Sequence, residues 1–267
     1  MRSYLLPLFA LVAAPFAQSQ ILIAGFDSPE YNTDNVTADV AGQNGWVIND
    51  PTPDISFFVE FGYAGSAPGN HGAALGGWLD TPVEPLVELS NTYGGPLVNS
   101  FLSLKFAVQS STADFPGRDS FGWTFRDESA NSLFNISLEP NVSFADRLEI
   151  VWYDSADTRT STGYDLFYDS TYDLTVGFMR DGLNAGFSAL IAGADTLPFT
   201  GTLPNAADAT LETFGAHAEL APGNTEYGDN FLVFDNLSLR PVPESGVGLL
   251  LLMTLFSGCW LLRRRLP

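Results

Sequence analysis

Apolar side chains recur at every second position through much of the chain. Between Leu102 and Val108, Leu102, Leu104, Phe106 and Val108 fall on one side, and Ser103, Lys105 and Ala107 on the other. Phe121, Trp123 and Phe125 alternate with Gly122 and Thr124, and Phe134, Ile136 and Leu138 with Asn135 and Ser137. Leu148, Ile150 and Trp152 repeat the pattern, as do Tyr172, Leu174, Val176 and Phe178. Side chains two apart share a face of an extended chain, so each run predicts a strand with one buried and one wet face. Asp127–Asn131, Arg180-Asp181-Gly182 and Ala221-Pro222-Gly223-Asn224 separate these runs with residues that favour turns. No stretch of the body has the 3.6-residue period of an amphipathic helix. Many short strands between turns predict an all-β, antiparallel sandwich.

The two ends follow a different pattern. Arg2 precedes an apolar run from Tyr4 to Phe16, and Ala17-Gln18-Ser19 supplies small residues after it. That order predicts a secretory signal over residues 1–19, cleaved after Ser19. At the other end, Gly246 to Leu262 forms an uncharged run followed by Arg263, Arg264 and Arg265. At about 1.5 Å per residue such a helix just spans a thin hydrocarbon layer. The arginines keep their end cytoplasmic and leave the body outside. The expected organisation is therefore a signal (1–19), a sandwich (20–240) and a tail (241–267) with a transmembrane helix at 246–262.

The tail carries Val242-Pro243-Glu244-Ser245-Gly246 just before its helix. With the helix and the arginine cluster, this resembles the PEP-CTERM sorting tail of Gram-negative bacteria. The Ser-Gly pair is closer to the related Val-Pro-Asp-Ser-Gly form, with Glu244 where that form has aspartate. The resemblance implies recognition by an exosortase-type membrane protease. The protein would be held at the membrane by its helix and then passed, after processing, to the cell surface or beyond.

Composition narrows the function. Residues 20–245 hold seven basic residues against all 31 acidic ones, about 24 net negative charges. Such a body repels phosphate backbones, which excludes nucleic acid as a partner. The one cysteine, Cys259, lies in the tail, so the body holds no disulfide and depends on its core or on bound ions. Two histidines, His71 and His217, are too few for a histidine-rich zinc site, and His71 reads as an exposed loop residue. Carboxylate pairs suited to glycoside cleavage are unavoidable among so many acids and identify nothing by themselves.

The body opens with Phe26-Asp27 and Gly42-Gln43-Asn44-Gly45-Trp46, and closes with Phe234-Asp235-Asn236-Leu237. These motifs resemble the concanavalin A/laminin-G-like jelly rolls often found on PEP-CTERM proteins. The resemblance implies that first and last strands pair, and that Phe121–Leu138 forms a hairpin about its Asp127–Asn131 turn. Some carbohydrate-binding jelly rolls hold a structural Ca2+ between those strands, and Asp27 and Asp235 sit at similar places. The other reading is a solvated acidic surface with Asp235 capping a turn. A sugar would use exposed aromatic faces beside hydrogen-bonding groups, and Trp78, Tyr164 and Tyr168 are the candidates. The leading expectation is an exported, non-catalytic envelope or extracellular-matrix protein. A lectin-like module for exopolysaccharide comes second and a glycan-active hydrolase third.

Overall fold

In the computed structural model the residues described are 22–32, 39–49, 56–60, 71–76, 86–109, 118–181, 184–203, 206, 208–221 and 230–242. They form fifteen strands: β1 Leu22–Ala24, β2 Trp46–Ile48, β3 Ser56–Glu60, β4 His71–Gly76, β5 Leu86–Leu97, β6 Ser100–Val108, β7 Ser120–Asp127, β8 Ser132–Pro140, β9 Arg147–Asp154, β10 Arg159–Phe167, β11 Thr171–Asp181, β12 Asn184–Ala192, β13 Thr196–Leu203, β14 Leu211–Glu219 and β15 Phe231–Pro241. Every pairing among them is antiparallel. The first sheet runs β13-β12-β11-β6-β15-β4-β3, with β1 also on β15, and the second runs β10-β9-β8-β7-β14-β5-β2. The signal, residues 243–267 and Trp78 lie outside the described residues. Among the described residues no helix is long and apolar enough to cross a membrane.

The alternating runs become β6, β7, β8, β9 and β11, and their apolar positions enter one core between the sheets. Phe106 of β6 meets Trp123 of β7 edge-on at 4.7 Å between ring centroids. Phe134 of β8 stacks on Phe125 and on Phe187 of β12, each at 4.3 Å. The Phe106–Trp123 and Phe134–Phe187 contacts cross from one sheet to the other, so they tie the two layers as well as bury area. Truncating a buried ring of this kind costs about 3–5 kcal/mol. The turn between β7 and β8 is built by Asp127, whose Oδ1 accepts the amide N–H groups of Ser129 and Asn131. Asp154 repeats the device between β9 and β10, accepting from Ala156 and Thr158. Those backbone donors hold its carboxyl below the usual range.

The ends of the described body meet. Leu22, Ile23 and Ala24 pair with Leu239, Ser238 and Leu237. Phe26 packs edge-on against Phe234 at 5.4 Å, and Tyr31 accepts the Trp46 indole N–H at 3.1 Å. Ala107 does not take the wet side expected of it. With Ala74, Phe231 and Val233 it forms a second buried apolar cluster, on the outer face of the first sheet.

Candidate functional site

The outer face of the second sheet is polar, and its centre is low. Because Phe121, Trp123 and Phe125 point into the core, Ser120, Gly122 and Thr124 of β7 face out. On one side stand His217 and Glu219 of β14, in register with Gly122 and Ser120. On the other stand Glu139 of β8 and Glu149 and Tyr153 of β9. Small residues between larger walls make a low strip, here called the trough, along β7, in which Ser120 is half-buried, Gly122 and Thr124 are buried and the His217 ring leans over Gly122. Its floor is fixed at Gly122, where a Cβ would lie 2.1 Å from the Ile136 carbonyl oxygen and 2.9 Å from His217 Nε2.

Charged hydrogen bonds hold together the wall formed by β8, β9 and β10. Arg159 donates to Glu139 Oε2 through Nε at 3.0 Å and Nη2 at 2.8 Å, and to Glu149 Oε2 at 2.8 Å. Tyr153 Oη also donates to Glu139, and Ser161 Oγ to Glu149. Burial pushes the Glu149 carboxyl up, but Ser161 and Arg159 outweigh it and hold the group below its ordinary value. Burial and the Glu139 charge push the Tyr153 hydroxyl up to about 12. At the far side of β14, Arg126 clamps Glu88 with two hydrogen bonds of 3.1 and 2.9 Å. Glu88 folds over Gly215 to reach it, since a Cβ there would sit 2.8 Å from the Glu88 carboxyl carbon.

His217 and Glu219 complete the trough. His217 is buried, with Nδ1 3.1 Å from Thr124 Oγ1. Desolvation lowers its pKa to about 4, Glu88 partly opposing, so the ring is neutral at physiological pH. Glu219 is exposed at the end of β14, yet desolvation by the neighbouring side chains and the Glu139 charge both push its pKa up. None of these wall residues was singled out as a site in the sequence.

Of the two predicted metal ligands, Asp27 lies just beyond β1 and Asp235 on β15, and the Asp27 charge is felt at Asp235. Asp235 is only 1% exposed, so the solvated-surface reading fails for it. Its Oδ1 accepts the Asn236 amide at 2.6 Å, at a bulge where Asn236 has φ of 53°. Burial, with Asp27 as a lesser contributor, raises its pKa to about 6. His71 is not a loop residue. It opens β4, and its amide and Nδ1 lie 2.9 and 3.3 Å from Asp27 Oδ1. Two carboxylates of hard oxygen donors suit calcium in chemistry, but they supply only part of the six to eight oxygens it takes. Among the described residues no group of three His, Cys, Asp or Glu is placed to hold a metal.

Of the predicted aromatic faces, Trp78 lies outside the described residues and the two tyrosines are not freely exposed. Tyr168 is buried with Arg118 over its ring at 4.4 Å, and Tyr164 is half-buried against the core. Both fall at positions of β10 and the following turn that face inward. The exposed rings are instead Phe144 and Phe167, with the Arg147 guanidinium over each at 4.6 and 4.8 Å.

No protein-family model and no curated protein matches the sequence. Solved structures are similar to it in shape. An endo-1,3-β-glucanase from Streptomyces sioyaensis is 13% identical with a TM-score of 0.52, over 86% of this chain and 99% of that one. A legume lectin-like domain from Entamoeba histolytica is 11% identical with a TM-score of 0.49, over 84% and 98%. Lectin II from Ulex europaeus is 9% identical with a TM-score of 0.48, over 76% and 94%. At such identities the likeness is one of fold and assigns no activity. The chain is an all-β antiparallel sandwich, similar in fold to that glucanase.

Proposed function

We propose that this chain is an exported cell-envelope or extracellular-matrix protein whose jelly roll binds a glycan, such as exopolysaccharide, in the trough along β7. The carrying observation is the trough itself: a floor of Ser120, Gly122 and Thr124 between walls of hydrogen-bonding side chains. Sugars are recognised by fixed donors and acceptors, and Arg159, Tyr153, Glu139, Glu149 and Ser161 hold one another in place before any ligand arrives. Such preorganisation lowers the entropic cost of binding. Binding without turnover is the reading, because Arg159 locks the Glu139 and Glu149 carboxylates together. One observation favours hydrolysis as the second reading: Glu219 and Glu139 flank Ser120 as two carboxyl groups in unlike surroundings.

The ends complete the proposal. The signal exports the body, and the arginine-capped helix holds it at the inner membrane. An exosortase-type protease acting at Val242–Gly246 then passes it to the surface. A structural calcium, if held, would use Asp27 and Asp235 and tie the strand that opens the body to the strand that closes it. The test is a glycan array on the purified protein, with and without calcium. Retention of polysaccharides by the parent and their loss from a Ser120→Trp variant is expected. Equal retention by both would remove the trough as the site.

A further inference from the structure

The trough has two polar features that its own residues leave without partners. The first is Glu219. Arg159 is shared between Glu139 and Glu149, but Glu219 makes no ion pair or hydrogen bond with the described residues. The second is the far edge of the His217 ring. The residue is 5% exposed, and Nδ1 is engaged by Thr124, yet Nε2 has no partner among the described residues and lies above Gly122. A buried imidazole whose far nitrogen has no protein partner among the described residues leaves one hydrogen bond there for a ligand group to make.

The register fixes how these features are spaced. Glu219 stands opposite Ser120. Extending the Phe121–Leu138 pair by one step sets Ser120 opposite Glu139 on the other side. Two strand spacings therefore separate the Glu219 and Glu139 backbones, about 10 Å, with one small hydroxyl between them. Side chains leaning in from both walls leave room for one compact group above Ser120. The group must be a cation. It faces Glu219 and Glu139 directly, Glu149 lies just behind, and only Arg159 opposes them. Gly122 and the His217 edge lie one step on, about 7 Å along the strand, the span of a single sugar ring.

We infer that the trough takes an amino sugar, a deacetylated hexosamine unit whose ammonium sits over Ser120 between Glu219 and Glu139 and whose hydroxyl meets His217 Nε2. This rests on the glycan-binding reading above and names its ligand class. An ammonium has three donors, which match Glu219, Glu139 and the Ser120 hydroxyl. A uronic acid polymer is repelled by the same carboxylates. An N-acetylated unit loses the charge and adds bulk where the floor is narrow. The body's charge, with one lysine in the whole chain, draws a polycation toward the face. Binding also has two pH limits. It weakens at low pH as Glu219 protonates in the presence of Glu139, Tyr153, Arg159 and His217, and at high pH as the sugar amine loses its proton.

The test is titration calorimetry of the full chain with oligomers of glucosamine, N-acetylglucosamine, glucose and a uronic acid. The expected result is that the glucosamine oligomer binds at least about tenfold more tightly than the others, with the margin shrinking at high salt. Glu219→Gln is expected to weaken glucosamine binding by about ten- to a hundredfold, as loss of a charged hydrogen bond does, and to erase the low-pH limb. Glu128→Gln, on the exposed turn between β7 and β8, changes nothing and controls for overall charge. An unchanged melting temperature shows that Glu219→Gln remains folded, and Ser120→Leu, which fills the seat without altering charge, is the second variant. Binding of glucose or N-acetylglucosamine oligomers as tightly as glucosamine overturns the amino-sugar assignment and leaves the glycan reading standing. So does a Glu219→Gln variant that binds like the parent. Failure of every oligomer overturns both.

Discussion

Asp235 links the fold to pH and to calcium in a way that can be worked through. Its carboxyl titrates near about 6 in the folded protein, against 3.8 for an ordinary aspartate. An acid with a raised folded pKa holds its proton more tightly when folded. Between about pH 4 and 6 the unfolded state therefore binds fewer protons, and stability falls as pH rises through that window. Two pKa units at 1.36 kcal/mol each give about 3 kcal/mol lost by pH 7, an upper bound for one carboxyl. Asp235→Asn removes the charge and keeps an oxygen for the Asn236 amide. In chelator at pH 7 it is expected to melt about 6–12 °C above the parent, and the gap closes below pH 4. Calcium closes most of this gap if Asp27 and Asp235 hold it, since a hundredfold excess over the dissociation constant stabilises the parent by about 2.7 kcal/mol. Magnesium, which requires a smaller octahedral site, substitutes poorly. Thermal melts of both proteins from pH 3.5 to 8, in chelator, calcium and magnesium, make the measurement. Parallel pH profiles for parent and variant refute the burial argument, and equal responses to the two metals refute the site.

Other expectations are simpler to check. Phe134→Ala removes a ring stacked on both Phe125 and Phe187 and is expected to cost about 3–5 kcal/mol by denaturant titration; a loss below 1 kcal/mol contradicts its place between the sheets. Gly122→Ala drives a Cβ into the Ile136 carbonyl and should lower the melting point or abolish folding, whereas Gly163→Ala, with open space around it, costs only its positive-φ strain. Mass spectrometry of surface-exposed protein is expected to find no peptide beyond about residue 245; recovery of an intact tail there would make the helix a permanent anchor.

Strands with large alternating side chains were legible because one period served both layers of the core: β6, β7, β8, β9 and β11 are all of this type. β12 and β14 were harder, since alanine and glycine fill much of their inner and outer faces and blur the alternation. β10 is an edge strand rich in Thr and Ser, broken by a bulge between Ser161 and Tyr164, and carries almost no apolar signal. The Asp27–Asp235 meeting was readable because the motifs at the two ends imply paired terminal strands. His71 was misread because nothing local shows that its strand lies beside Asp27. The trough was hidden for a different reason. Ser120 and Gly122 are unremarkable in sequence, and Glu139, Tyr153, Arg159, His217 and Glu219 are scattered over 80 residues. Only the strand order β10-β9-β8-β7-β14 brings them to one face.

The central claim is that the outer face of the second sheet is where this protein meets a glycan. Hydrogen exchange of the full chain, with and without a bound oligosaccharide, tests it most directly. Slowed exchange in β7, β8 and β14, centred on Ser120, Gly122 and His217 and absent from the Ser120→Trp variant, is the expected result. Protection confined to the first sheet, or persisting unchanged in that variant, would contradict the account.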